Sequence, residues 1–176
     1  MRIIAGEFKS RVIKDPKGRR THPMSERIRG ALFNAIGDIS GLVVLDAFAG
    51  TGALGIEALS RGASRVYAVD IDNDAFDILQ INRDSITTEE RMSVHRANVR
   101  SWLKNQEDLE FDIVLADPPY DAIGMNAIEE CAIHVKKNGL YVLSLPPAEH
   151  VAFDGFKKID EKRYGNAKLV FYKKLK

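Results

Sequence analysis

The chain has 176 residues, 45% of them hydrophobic and 29% charged, a composition typical of one soluble domain that can bury roughly 70% of its unfolded surface. It has no apolar run of 18 residues, so no membrane span is expected, and "MRIIAGEFKS" lacks the apolar core of a secretory leader. Cys131 is the only cysteine, which excludes an internal disulfide and fits a reducing cytoplasm. The net charge of +1 hides an asymmetry: residues 1–30 carry nine Lys/Arg against three Asp/Glu, a local +6, which leaves −5 on the remainder. A basic N-terminal segment on an acidic body points to a polyanionic partner for that segment.

In chain order, residues 1–24 read as a basic extension with a short strand at Arg2 to Ala5, and residues 25–176 as the main domain. Ser25 can cap a helix from Glu26 to Ile36, with Ile28, Leu32 and Ile36 on one face and Gly37 ending it. A regular alternation follows. Strands are expected at 42–46, 65–70, 92–97, 111–117 and 139–145, separated by helices at 53–61, 73–83, 99–105 and 123–136. Continuous apolar strands alternating with helices predict a mostly parallel, Rossmann-like α/β sheet covered on both faces. "FKKIDEKRYG" and "NAKLVFYKK" break the rhythm and predict an antiparallel hairpin turning at Gly165-Asn166, bringing the sheet to seven strands.

"DAFAGTGALG" (46–55) holds Gly50-x-Gly52-x-x-Gly55 between the first strand and its helix. Glycines there let a ligand approach the backbone, and the helix N-terminus favours negative charge. Asp70 ends the second strand, where a carboxylate can accept from both hydroxyls of a ribose. The glycine pattern alone also suits a dinucleotide. Asp46 argues against that, because a carboxylate beside a pyrophosphate is repulsive. S-adenosylmethionine (SAM) carries an ammonium group, a ribose and an adenine, and no phosphate. Asp46 for the ammonium, the glycine loop for the methionyl tail and Asp70 for the ribose form one consistent set. Turn and capping roles for the two aspartates are the plain structural alternative.

"ADPPY" (116–120) ends the fourth strand, on the same rim. Pro118 and Pro119 give no N–H to a ladder, so the loop offers acceptors. An exocyclic base amine is a poor nucleophile whose lone pair is delocalised into its ring. Asp117 and the Pro118 carbonyl can accept its two N–H groups, directing the lone pair at a methyl group, while Tyr120 stacks on a base extracted from its helix or loop. A proline turn with a capping acid is the alternative.

The stretches "DAFAGTGALGIEALSRGA", "AVDID", "ADPPY" and "YGNAKLVFY" resemble the class I SAM-dependent methyltransferases of exocyclic amines. With "MRIIAGEFKSR" and "SERIRGALFNAI" the resemblance extends over nearly the whole chain to the bacterial RsmD family, which methylates N2 of a guanine in small-subunit (16S) ribosomal RNA. The resemblance implies that Asp46, Phe48, Gly50, Gly52, Asp70 and Ile71 contact SAM, that Asn98 and Val99 lie beside the adenine, and that Asp117, Pro118, Pro119 and Tyr120 hold the guanine. It also implies an RNA partner, in a partly assembled small subunit, met by the basic segment through Lys17, Arg19, Arg20 and Arg27.

Two departures stand out: Thr21-His22-Pro23-Met24 replaces a family stretch that usually carries an arginine, and Asn98 stands where related enzymes often have aspartate. His95 and His134 have no metal-ligand partners at workable spacing, so no metal is expected. Trp102 is expected to anchor its short helix to the core. The competing functions are an adenine-N6 or cytosine-N4 methyltransferase, which needs the same loop chemistry, an NAD-dependent oxidoreductase, and a non-catalytic RNA-binding module.

Overall fold

The computed structural model describes residues 1–15, 24–121 and 123–176. Its elements are α1 (Glu26–Ile36), β1 (Val43–Ala47), α2 (Ala53–Ser60), β2 (Arg65–Asp70), α3 (Asn73–Ile86), β3 (Met92–Arg96), α4 (Val99–Lys104), β4 (Phe111–Ala116), α5 (Met125–Ile133), β5 (Val135–Leu145), β6 (Phe156–Tyr164) and β7 (Ala167–Lys174). They form one seven-stranded sheet in the order β3-β2-β1-β4-β5-β7-β6. The first five strands run parallel, and β7 pairs antiparallel with both β5 and β6. This is the Rossmann-like arrangement with a closing hairpin that the alternation predicts.

The inner strands are largely apolar because both faces are covered, whereas the edge strand β6 is charged and mostly exposed. Val44, Val66, Ile113 and Val142 pack into one core with Leu32 and Phe33 of α1, Ile56 and Leu59 of α2 and Leu79 of α3. Their sequence neighbours Leu45, Val114, Tyr141 and Leu143 face the opposite core, with Val99 and Leu103 of α4 and Ile128 and Cys131 of α5. The period of two thus sorts adjacent residues onto opposite layers. Burial pushes the Cys131 thiol up to about 12, which makes it an inert core side chain. Trp102 packs on His95 at 4.8 Å and on Tyr67 at 6.1 Å between ring centroids, as its anchoring role requires.

Three boundaries differ from expectation. α3 continues past Arg83 to Ile86, whose side chain reaches the core. α5 stops at Ile133, and β5 begins at Val135 rather than 139. Val135 keeps helical spacing from Ile128 and Cys131, yet it pairs with Phe111 across a register shift in β4. Asn138, at φ +64, and Gly139 carry that irregularity: a Cβ on Gly139 would lie 2.9 Å from the Asp112 carbonyl.

The third difference lies at the N-terminus. Residues 2–5 form no strand. A single antiparallel bridge joins Arg2 to Val12, and the segment folds onto the body. Ile3, Phe8 and Ile13 enter the first core, each contributing about 1.5–3 kcal/mol of burial. Glu57, fully buried in α2, accepts from the backbone N–H groups of Ile4 (2.8 Å) and Ala5 (3.2 Å), and from Arg61 Nε at 2.8 Å. Arg29 is also 0% exposed and lies 3.6 Å from Glu57. One of the nine N-terminal cations is therefore an internal support and not a charge on the surface.

Candidate active site

The strand order reverses between β1 and β4, and a crevice at such a switch point is where open α/β sheets bind ligands. Asp46 reaches it from β1, Asp70 from the end of β2, and Asp117 from the residue after β4. Asp46 is 1% exposed. Its Oδ2 accepts from the Gly55 N–H at 2.7 Å, and its Oδ1 is buried with no partner. Burial pushes its carboxyl well up; the Gly55 N–H opposes this, and repulsion from Asp117 and Asp70 adds to it. Burial also raises Asp70, against the pull of the Asp72 and Gly50 N–H groups. Asp117 is raised by burial too, and the Ser144 hydroxyl pulls it back. Among the described residues none of the three forms an ion pair with Lys, Arg or His. Three desolvated carboxylates in one crevice without a counter-ion favour a cationic ligand.

The loop between β1 and α2 is built by hydrogen bonds from several directions. The Gly50 N–H donates to Asp70 Oδ2 at 2.7 Å, and the Asp72 N–H to Asp70 Oδ1 at 2.9 Å. Phe48, Gly50 and Gly52 all have positive φ (63°, 55° and 78°). For Phe48, half-buried against the second core, that conformation carries a cost of about 1–3 kcal/mol, of the kind that concentrates at functional sites. The glycines divide by neighbour. A Cβ on Gly50 would meet nothing within 4 Å, so that side is open to a ligand. A Cβ on Gly55 would lie 2.9 Å from Val66 and 3.0 Å from the Asp46 carboxylate, so Gly55 is needed for packing.

Ile71 follows Asp70 and is 64% exposed, an apolar side chain at the mouth of the crevice. Asn98 caps α4, its Oδ1 accepting from the Ser101 N–H at 3.2 Å, and Val99 behind it is buried. Ala97 N–H bonds the Asp70 carbonyl at 2.9 Å, which brings this turn to the same rim. Pro118 is buried, Pro119 exposed and Tyr120 half-buried. Arg27 is exposed on α1, and Lys17, Arg19, Arg20 and the Thr21-His22-Pro23 stretch lie outside the described residues.

Two side chains at this site were not singled out from sequence. Asn82 of α3 is 0% exposed and joins two distant segments. Its Nδ2 donates to the Thr51 carbonyl of the glycine loop (2.9 Å) and the Lys14 carbonyl (3.0 Å), while its Oδ1 accepts from the Lys14 N–H (2.7 Å). Ser144 of β5 lies 2.6 Å from the Tyr120 hydroxyl. The available signal was a lone polar residue at a core position: Asn82 at helical spacing from Leu79 and Ile86, Ser144 inside "YVLSL".

This geometry has counterparts. Two curated relatives, both called ribosomal RNA small subunit methyltransferase D and both from Buchnera aphidicola, are 34% identical: one over 67% of this chain and 62% of its own length, the other over 80% and 70%. The solved structure of the yhhF protein of Escherichia coli superposes with a TM-score of 0.87 at 27% identity, covering 99% of this chain and 98% of that one. The model of the family described as Conserved hypothetical protein 95 takes in residues 1–173, and with those relatives it places the chain in that family, that of the RsmD methyltransferases.

Proposed function

We propose that the protein transfers the methyl group of SAM to the exocyclic N2 amine of a guanine in small-subunit ribosomal RNA. The observation that carries the SAM assignment is the set of three carboxylates, Asp46, Asp70 and Asp117, converging beside the open Gly50 face with no counter-ion among the described residues. A dinucleotide pyrophosphate would be repelled there. The residues fit SAM: the unpartnered Oδ1 of Asp46 is an acceptor for the ammonium group, and Asp70 has lone pairs left for ribose hydroxyls beyond its two backbone donors. Ile71 and Val99 flank the adenine, with Phe48 beside the loop and the Asn98 amide facing the adenine amine.

SAM supplies a methyl group on a sulfonium, an electrophile needing no further activation. Asp117 and the Pro118 carbonyl accept from the guanine amine and point its lone pair at that methyl group, and Pro119 keeps the loop stiff. Tyr120 stacks on the flipped base. The new N–C bond forms as the S–C bond breaks, and the displaced amine proton passes to Asp117 and on to solvent. Holding the two reacting atoms in line supplies much of the rate. Binding energy for extracting the base comes from phosphate contacts of Lys17, Arg19 and Arg20, joined by Arg27 on α1, so residues 1–24 supply most of the RNA contacts and 25–176 the catalytic part. Deleting the whole segment would strip Ile3, Phe8 and Ile13 from the core, so the test of this role is neutralisation of Lys17, Arg19 and Arg20 alone.

The test of the function is methyl transfer from labelled SAM to small-subunit RNA, naked and in partly assembled cytoplasmic subunits, followed by nucleoside mass analysis. N2-methylguanosine is the expected product. N6-methyladenosine or N4-methylcytidine would move the assignment to another amine, and transfer to no RNA would overturn it.

A further inference from the structure

We propose that Ser144 is a positioning residue of the acceptor site, holding the Tyr120 ring and the Asp117 carboxylate from the neighbouring strand in the arrangement a base amine requires. The inference rests on the reading of Asp117 as the amine's acceptor. β4 and β5 are parallel neighbours with Ala116 opposite Leu143, so the next step along the register sets Asp117 beside Ser144. Ser144 is 2% exposed, in a stretch whose other side chains from Val142 to Leu145 are apolar. A hydroxyl at such a position is costly unless it is paired. Its partner is the Tyr120 hydroxyl at 2.6 Å.

A serine hydroxyl can accept one hydrogen bond and donate another. Either hydroxyl can donate across this contact; in the proposed arrangement Tyr120, a phenol raised by burial, donates to Ser144. Ser144 then donates to Asp117, consistent with the downward pull this hydroxyl exerts on the Asp117 carboxyl. Among the described residues, the charged and titratable groups facing Asp117 are Asp46 from β1 and Tyr120 from its own loop, and neither stabilises its charged form. Ser144 therefore favours the carboxylate, the state of Asp117 that can take the amine proton. The chain Tyr120–Ser144–Asp117 also fixes the tyrosine hydroxyl, leaving the ring one orientation to offer a base.

The experiment is the pH dependence of kcat/KM for methylation of small-subunit particles by wild type, Ser144→Ala, Ser144→Cys, Ser144→Thr and Tyr120→Phe, with S-adenosylhomocysteine (SAH) affinity measured in parallel. Ser144→Ala should move the acid limb upward by about one to two pH units, the size of a hydrogen bond to a charged group. Ser144→Cys, similar in shape and a weak donor, should move it in the same direction. Ser144→Thr should restore it, and Tyr120→Phe should leave the limb in place while raising KM. SAH affinity should not change. An acid limb that stays put in Ser144→Ala and Ser144→Cys, with rates merely lowered at every pH, overturns the proposal. If Asp117→Ala still methylates normally, the acceptor reading itself falls and takes this inference with it.

Discussion

On the β1–β2 side of the crevice, side chains are tied to backbone: Asp46 accepts from the Gly55 N–H, Asp70 from those of Gly50 and Asp72, and the Asn82 amide donates to the Thr51 carbonyl. On the β4–β5 side, Pro118 and Pro119 have no N–H to give, and the contacts are between side chains, with the Tyr120 and Ser144 hydroxyls 2.6 Å apart. The contrast matches two kinds of ligand. A cofactor that recurs unchanged at every turnover suits a loop whose shape is set before binding. A base that must be pulled from structured RNA suits a site with free acceptors held by side chains. The two halves should therefore fail separately when mutated.

The largest effect is expected at Asp117. Asp117→Ala removes a preorganised acceptor at the reacting nitrogen and should lower turnover by at least about 10²–10³-fold. SAH affinity, measured by calorimetry, should stay near wild type; a joint loss would mean the halves are not independent. Asp70→Ala strikes the other half. It loses a charged acceptor worth about 1.5–3 kcal/mol, so SAH affinity should drop about 10- to 100-fold. Unchanged affinity in a folded variant would remove Asp70 from the cofactor site.

Asn82→Ala sharpens the comparison, because Asn82 touches the glycine loop and the N-terminal segment but not the acceptor side. Leaving the Lys14 N–H and the Lys14 and Thr51 carbonyls unpaired should cost about 1–3 kcal/mol of stability. Thermal unfolding reads this as a lower midpoint, by roughly 2–4 °C per kcal/mol at this size. SAH affinity should weaken with it, and the pH profile of turnover should not move.

A smaller effect, opposite in sign, is expected at Asp46. Its folded carboxyl is raised above its unfolded value, so the folded state holds that proton more tightly. The associated stability is present below the unfolded pKa and is lost as pH rises through the folded one. At neutral pH Asp46→Asn should therefore stabilise the ligand-free protein while weakening SAM. A variant that is less stable at neutral pH would show that the Asp46 charge is satisfied without ligand.

What acts through local backbone was legible in sequence, and what acts across the chain was not, for a physical reason. Ser25, Gly50, Gly52 and Asp70 act through local backbone, and local backbone leaves spacing rules in the sequence. Glu57, Asn82 and Ser144 act across 24 to 68 residues of chain, and a single polar residue in an apolar stretch does not name its partner. The spacing of Ile3, Phe8 and Ile13 fits neither a helix nor a strand. That is why residues 1–15 read as a charged extension, although they share the core. Val135 was misplaced because helical spacing and a sheet partner coincide there.

The crevice is made for a cation, whose arrival should lower the raised Asp46 carboxyl. Calorimetric titration with SAM at mildly acidic pH, in buffers of different ionisation enthalpy, tests it most directly. Proton release on binding, reduced in Asp46→Asn, with no binding of NAD, is the predicted result. SAM binding with no proton release, or NAD binding at the same site, would contradict it.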